Sequence, residues 1–251
     1  MKQPAVHTVA IPLRGPLYRG ERRVRIALVG LPNSGKSTLF AAVSSTSVET
    51  GALVGSGRAY DECAVQVGLD EARVINLPGV QSLRHAQEED RAALKYLLWG
   101  DRRPMISAHE SEGPPAPFAP PDVIVQVVDA TALERHLELA LELVQLGRPL
   151  VIALNKMDEA QDRGVYVNGK ALAAALGVAV VPTVAIMGHG ISELFRAAVE
   201  AVRNNARPVA QPAGPHVAER LRSLIAALSG GDIERAFRVP PLLLEIGRAH
   251  V

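Results

Sequence analysis

The sequence predicts an α/β fold, a mostly parallel central sheet flanked by helices, with a small helical appendage at the C-terminal end. Three observations predict it. Apolar β-type runs alternate with helix-type runs along most of the chain. Four of the β-type runs are nearly continuous in Val, Ile, Leu and Ala, as expected of strands covered on both faces. A glycine-rich turn, GLPNSGKSTL at Gly30–Leu39, joins the first such run to a helix.

Taken in chain order, the strands are expected at Val24–Gly30, Cys63–Leu69, Ala72–Leu77, Asp122–Asp129, Pro149–Asn155 and Val178–Val184. The clearest helix starts near Thr131, where Thr131 and Glu134 form a capping-box pattern and Gly147 is placed to end it. Leu133, Leu137, Leu141 and Val144 recur on it at helical spacing, and His136, among charged neighbours, is expected to face solvent. Residues 101–121, rich in Pro, Ser and charge, read as a long surface loop inserted in the α/β unit. A linker-like stretch follows at Arg207–Gly214. Beyond it Val217, Leu221, Leu224, Ile225 and Leu228 form one apolar helical face. The division expected is an N-terminal extension over 1–22, a nucleotide-binding unit over 23–206 and a helical domain, cut short, over 207–251.

The bulk composition narrows the class. A chain of 251 residues with 48% hydrophobic and 21% charged residues can bury a sizeable core. A net charge of +1 offers no basic field for nucleic acid. The single cysteine, Cys63, excludes an internal disulfide, fits a reducing compartment and reads as packing. The first twenty residues, broken by Pro and Arg, do not read as a secretory signal. No run approaches the ~20 apolar residues that span a bilayer, so a soluble chain is expected. None of the histidines pairs with a second His or a Cys at metal-ligand spacing.

The turn fits the phosphate-loop pattern of Gly, four residues, then Gly-Lys-Ser/Thr, in the strand-to-helix context that confirms it. Gly30 and Gly35 let the backbone turn and approach phosphate. Leu31, Pro32, Asn33 and Ser34 line the loop, and the amides from Ser34 to Ser37, with Thr38 behind them, face the helix N-terminus, where positive partial charge accumulates. Lys36 reaches the β and γ phosphates, and the Ser37 hydroxyl is placed for Mg2+. The loop alone does not choose between ATP and GTP. That choice comes from ALNKMDEA, where Asn155, Lys156 and Asp158 form Asn-Lys-x-Asp at the end of a buried strand. A carboxylate accepts two hydrogen bonds from guanine, N1–H and the exocyclic amine, a pair that adenine cannot offer. The Lys156 stem can lie over the base. The competing reading of Asp158 is a plain helix N-cap.

With these residues in hand, the chain resembles the cytosolic GTPase region of FeoB, the bacterial ferrous iron transporter. LPNSGKSTLF, NLPGVQSL, the run from Asp122 to Ala160 and LGVAVVPTVAIMGHGISEL carry the resemblance, over about residues 23–200. It implies a P-loop GTPase fold that binds GTP and GDP with Mg2+. It also implies a helical domain that reads the nucleotide state, and a transmembrane iron-permeation domain on the same or a partner chain. The chain would then lie on the cytosolic face of the bacterial inner membrane, with oligomers allowed. K+-stimulated hydrolysis occurs in the family, and the resemblance gives the K+ contact to Asn33.

Three departures from the family pattern bear on chemistry. Where the family has Asp-x-x-Gly, this chain has Asn76-Leu77-Pro78-Gly79. Asn76 keeps one acceptor oxygen but loses the charge, so weaker Mg2+ binding and slower hydrolysis are expected, while Gly79 still offers its N–H to the γ-phosphate. The Thr that coordinates Mg2+ in the first switch is replaced by Gly57, with Ser56 and Thr50 out of register, in a Gly-rich run expected to be mobile without ligand. At the base loop, Val184-Ala185-Ile186 stands where a Ser-Ala-like segment contacts guanine. The reading is therefore a slow GTPase serving ferrous iron uptake, with a nucleotide-binding switch without useful hydrolysis as the alternative. A ribosome-assembly GTPase is disfavoured by the absence of a basic module. Glu88, Glu89 and Asp90 are read as helix-start acids rather than as an iron site.

Overall fold

The computed structural model describes residues 24–44, 49–52, 59–83, 88–100 and 120–208. Residues 1–23, the inserted stretch over 101–119, the segment containing Gly57 and the tail beyond Pro208, on which several expectations fall, lie outside the described residues.

The strands are β1 Val24–Val29, β2 Glu49–Ala52, β3 Ala59–Val67, β4 Asp70–Asn76, β5 Val123–Asp129, β6 Leu150–Asn155 and β7 Ala179–Pro182. The helices are α1 Lys36–Val43, α2 Glu88–Trp99, α3 Leu133–Val144, α4 Met157–Asp162, α5 Gly169–Leu176 and α6 Ile191–Arg203. They build one mixed sheet in the order β2-β3-β4-β1-β5-β6-β7. From β4 to β7 the pairings are parallel, and β2 and β3 add antiparallel pairs at one edge.

Period-two alternation sends the strands' side chains into two cores. Ala27, Val29, Ile124 and Val128 pack with Tyr96, Leu97, Leu137, Leu172 and Leu176 under α2, α3 and α5. Ile26, Leu28, Val125 and Val127 pack with Leu39, Phe40, Leu194 and Phe195 under α1 and α6. Both faces of β1, β5 and β6 are thereby buried, which is why those strands read as continuous apolar runs.

Some local expectations are corrected. Strand β3 begins at Ala59 rather than Cys63, because pairing with β4 carries it through the charged Asp61 and Glu62, where an apolar run stops. Strand β2 has no apolar signature in the sequence and exists as an edge strand on β3. Thr131 and Glu134 form no capping box. The Asp129 carboxylate accepts from Thr131 N at 2.8 Å and Thr131 Oγ1 at 2.7 Å, capping a single 3₁₀ turn that delays α3 to Leu133. His136 does not face solvent. It is 4% exposed, on the wide buried face of α3 beside Leu133, Leu137 and Ala140. Cys63 is buried in the α1-side core, and burial, with Glu62 adding to it, pushes its thiol up to about 11.

Candidate functional site

The phosphate loop leaves β1 at its C-terminal end, in the middle of the sheet. Its cradle depends on left-handed backbone at Asn33, φ 65°, and at Gly35, φ 89°. Such turns aim successive N–H groups into one concavity. Gly35 is also the N-cap of α1, and a Cβ there would lie 2.2 Å from Asn155 Nδ2. Gly30 answers to a different constraint: a Cβ would sit 2.6 Å from the Val127 carbonyl oxygen, so this glycine is set by the close approach of β5. Leu31, Pro32, Asn33, Ser34, Gly35, Lys36, Ser37 and Thr38 line one open cleft of about 540 Å³ together with Gly79 and Lys156.

Asn155 is buried at the end of β6 and fastens two loops to it. Its Nδ2 donates to Ser34 O at 3.1 Å, and its Oδ1 accepts from Ala185 N at 3.0 Å and Thr183 Oγ1 at 3.3 Å. Its amide is thus committed to holding the phosphate loop against the segment Val184-Ala185-Ile186. Lys156 adopts left-handed backbone, φ 60°, and N-caps α4. Its Nζ donates to Asn33 O at 3.0 Å and to Asp129 Oδ2 at 2.6 Å. Burial alone would raise the Asp129 carboxyl, but hydrogen bonds from Lys156 and Thr131 outweigh it and hold the group below its usual range. Asp158 stands in the first turn of α4, half-buried, and is not the helix cap, because Lys156 occupies that position. Ala185 opens a 3₁₀ turn, Ala185–Met187, closed by a Val184–His189 bridge. Ile186 on it is 79% exposed.

On the other side of the loop the geometry is different. Lys36 is buried, and its Nζ donates to Asn76 Oδ1 at 2.9 Å. Burial lowers the Lys36 ammonium to about 8, with the nearby Asp61 carboxylate pulling it back up. Ser37 is exposed in the first turn of α1. The stretch after Asn76 is pinned to the phosphate loop. Val80 N donates to Gly30 O at 3.0 Å, and a Cβ on Gly79 would meet Pro32 Cγ at 3.0 Å. Asn33, Lys36, Ser37, Asn76 and Gly79 thus share one mouth, while Thr50 lies in β2. Asp90 serves local structure, its Oδ1 accepting from Gln81 N at 3.1 Å.

Sequence reasoning missed two features of the site. The stapling role of Asn155 shows only once β6 and β7 are adjacent. The other is Asp61, which lies in β3 ahead of the apolar run that begins at Cys63. The sequence signal for it is the tight turn at Gly68 and Leu69, which sets the β3–β4 register.

A phosphate loop after the central strand, with Asn-Lys-x-Asp at the end of a parallel strand two places over, defines the P-loop GTPase fold. The family model described as "Ferrous iron transport protein B" matches residues 24–112 and 118–198. The chain belongs to that family. It is 35% identical over 172 residues to the Fe(2+) transport protein A/Fe(2+) transporter FeoB fusion protein of Porphyromonas gingivalis, covering 68% of this chain and 18% of that one. It is 31% identical over 188 residues to the Fe(2+) transporter FeoB of Escherichia coli K12, covering 73% and 22%. The chain therefore spans about a fifth of the length of these relatives. Among solved structures, the cytosolic domain of T. maritima FeoB in its GMPPNP form matches with a TM-score of 0.62 at 28% identity, covering 73% of this chain and 65% of that one. The FeoB G-domain from Methanococcus jannaschii matches with a TM-score of 0.56 at 34% identity, covering 73% and 99%. No described helix is long and apolar enough to cross a membrane.

Proposed function

We propose that this chain is a guanine-nucleotide-binding module that hydrolyses GTP slowly to GDP and phosphate, in the service of ferrous iron transport. One observation carries the reading: buried Asn155 joins the phosphate loop, through Ser34 O, to the loop at Ala185, so the seats for phosphate and base are built as one unit. In this reading the loop from Gly30 to Thr38 holds the phosphates and the Asp158 carboxylate reads guanine. The Lys156 stem and the turn at Val184, Ala185 and Ile186 flank the base. The solved relatives in GMPPNP and GDP forms support a guanine ligand.

The donor set fits Mg2+ sparingly. Ser37 offers a hydroxyl and Asn76 an amide oxygen, both hard donors, but neither carries charge. Bound Mg2+ would supply charge neutralisation at the phosphate oxygens. The chain's own residues do the rest. Lys36 stabilises charge developing on the γ-phosphate, the loop amides and the Gly79 N–H hold the phosphate oxygens, and Asn33 provides the K+ contact, while water attacks phosphorus. A second reading, a binding switch without useful hydrolysis, is favoured by the engagement of Lys36 with the uncharged Asn76.

The unit over 23–206, and a helical domain over 207–251 that senses the nucleotide, complete the proposal. The chain would serve a transmembrane iron-permeation domain on the same or a partner chain, at the cytosolic face of a bacterial inner membrane; relatives named Fe(2+) transporters and a solved cytosolic domain support this reading. Steady-state GTP turnover with Mg2+, in KCl and in NaCl, tests the reading on the unaltered chain and on Asn76→Asp combined with Gly57→Thr. Turnover by the unaltered chain that is faster in KCl supports the GTPase. Turnover only after the double change supports the binding switch. No turnover in either overturns the assignment of these two positions.

A further inference from the structure

The motif position that usually carries a carboxylate for the metal is Asn76, yet a carboxylate stands directly across from it. The antiparallel register of β3 and β4 pairs Asp61 with Asn76. Directly opposed residues share a face, with Cβ atoms about 5 Å apart. The face is identified by the alternation on both strands. Cys63 and Val74, two residues inward on β3 and β4, belong to the core cluster that includes Leu39 and Phe40 of α1. Asp61 and Asn76 therefore project on the side of the sheet that carries the phosphate loop. Neighbouring Glu62 belongs to the other face, where it pairs with Arg73 at 2.7 Å. Lys36 closes the group: its Nζ binds Asn76 Oδ1 at 2.9 Å, and its ammonium feels the Asp61 charge.

We propose that Asp61 is a positioning residue for the nucleotide's divalent cation, returning from the neighbouring strand the negative charge that Asn76 lacks. The inference rests on the reading of the site as a guanine-nucleotide seat. Its chemistry is outer-sphere. A carboxylate one strand away acts on the cation through charge and bridging water, while Ser37 and the phosphates supply direct oxygens. It sets a limit to the loss expected at Asn76, because the charge is displaced across the strand pair.

The test is a Mg2+ titration of the affinity for a fluorescent GDP analogue, with an EDTA arm. It compares the unaltered chain with Asp61→Asn, Asn76→Asp and the double variant. Asp61→Asn is expected to raise the half-saturating Mg2+ concentration by about tenfold or more. It should leave the affinity in EDTA within about twofold. Adding Asn76→Asp to Asp61→Asn is expected to bring the Mg2+ requirement back to that of the unaltered chain, a rescue that a misfolded protein would not show. An unchanged Mg2+ requirement in Asp61→Asn overturns the inference. So does a change confined to the EDTA arm, which would mean that Asp61 acts only on Lys36. Failure of the unaltered chain to bind the analogue in either arm would instead overturn the guanine-nucleotide reading itself.

Discussion

On the base side of the phosphate loop, buried Asn155 and the Lys156–Asp129 pair tie three loops together through the protein's own hydrogen bonds. On the side proposed for the metal, Ser37 is exposed and Asn76 offers an uncharged oxygen to Lys36. The two sides share one loop but are stabilised differently. The base side is set by polar groups that are costly to leave unpaired once buried, so its geometry comes with folding. The metal side relies on few charged ligands and on what the nucleotide brings with it. In the proposed function, affinity and base choice would therefore survive sequence changes that slow the chemistry.

Five variants sharpen or break this contrast. Lys36→Ala removes the one buried cation among the described residues, which the proposed function aims at the phosphates, and should weaken GDP binding by about a hundredfold or more by calorimetry, since hydrogen bonds to charged groups are the strong ones. Binding within about threefold of the unaltered chain would remove Lys36 from the site. Asp158→Asn exchanges an acceptor pair for one donor and one acceptor. GDP affinity should fall about a hundredfold and xanthosine diphosphate, whose edge matches the new pair, should gain. Equal affinity for GDP before and after would mean that Asp158 does not read the base.

Gly35→Ala strains a residue at φ 89° and drives its Cβ into Asn155 Nδ2. A loss of roughly 2–4 kcal/mol in denaturant unfolding is expected. Gly147→Ala, at φ 62° with open space around it, should cost only about 1 kcal/mol. Similar losses at the two sites would show that the staple contributes nothing.

The smallest effect concerns pH. Burial, the main cause, pushes the His136 imidazole down to about 4, with Asp129 opposing and Arg135 and Lys156 adding to the shift. The unfolded chain takes up the proton near pH 6.5 and the folded one only near 4. Stability should therefore fall as pH drops from 6.5 toward 4, by on the order of 1–3 kcal/mol from this group. His136→Leu should flatten that slope relative to the unaltered chain in denaturant titrations across the window. Identical slopes would mean that the imidazole takes up its proton as readily folded as unfolded.

The legible parts of the molecule were those whose signal is local. Strands β1, β5 and β6 announce themselves because both faces are apolar, and the loop after β1 because glycine spacing is dictated by backbone conformation at Gly35 and close approach at Gly30. Features set by neighbours distant in sequence stayed hidden. Strand β2 exists only because β3 offers it an edge. The face of His136 is decided by the sheet under α3, and the cap of the 3₁₀ turn by a carboxylate at the end of β5. Asp61 is the plainest case: in the sequence it is a charged residue ahead of the apolar run that begins at Cys63, and in the sheet it faces Asn76.

The central claim is that base recognition is intact while metal recognition is thinned. Competition of ADP against bound GDP on the unaltered chain tests it most directly. The account predicts GDP bound in Mg2+ and still measurably bound in EDTA, with ADP needing at least about a hundredfold higher concentration to displace it. Displacement by ADP at concentrations similar to GDP, or GDP binding that vanishes without Mg2+, would contradict it.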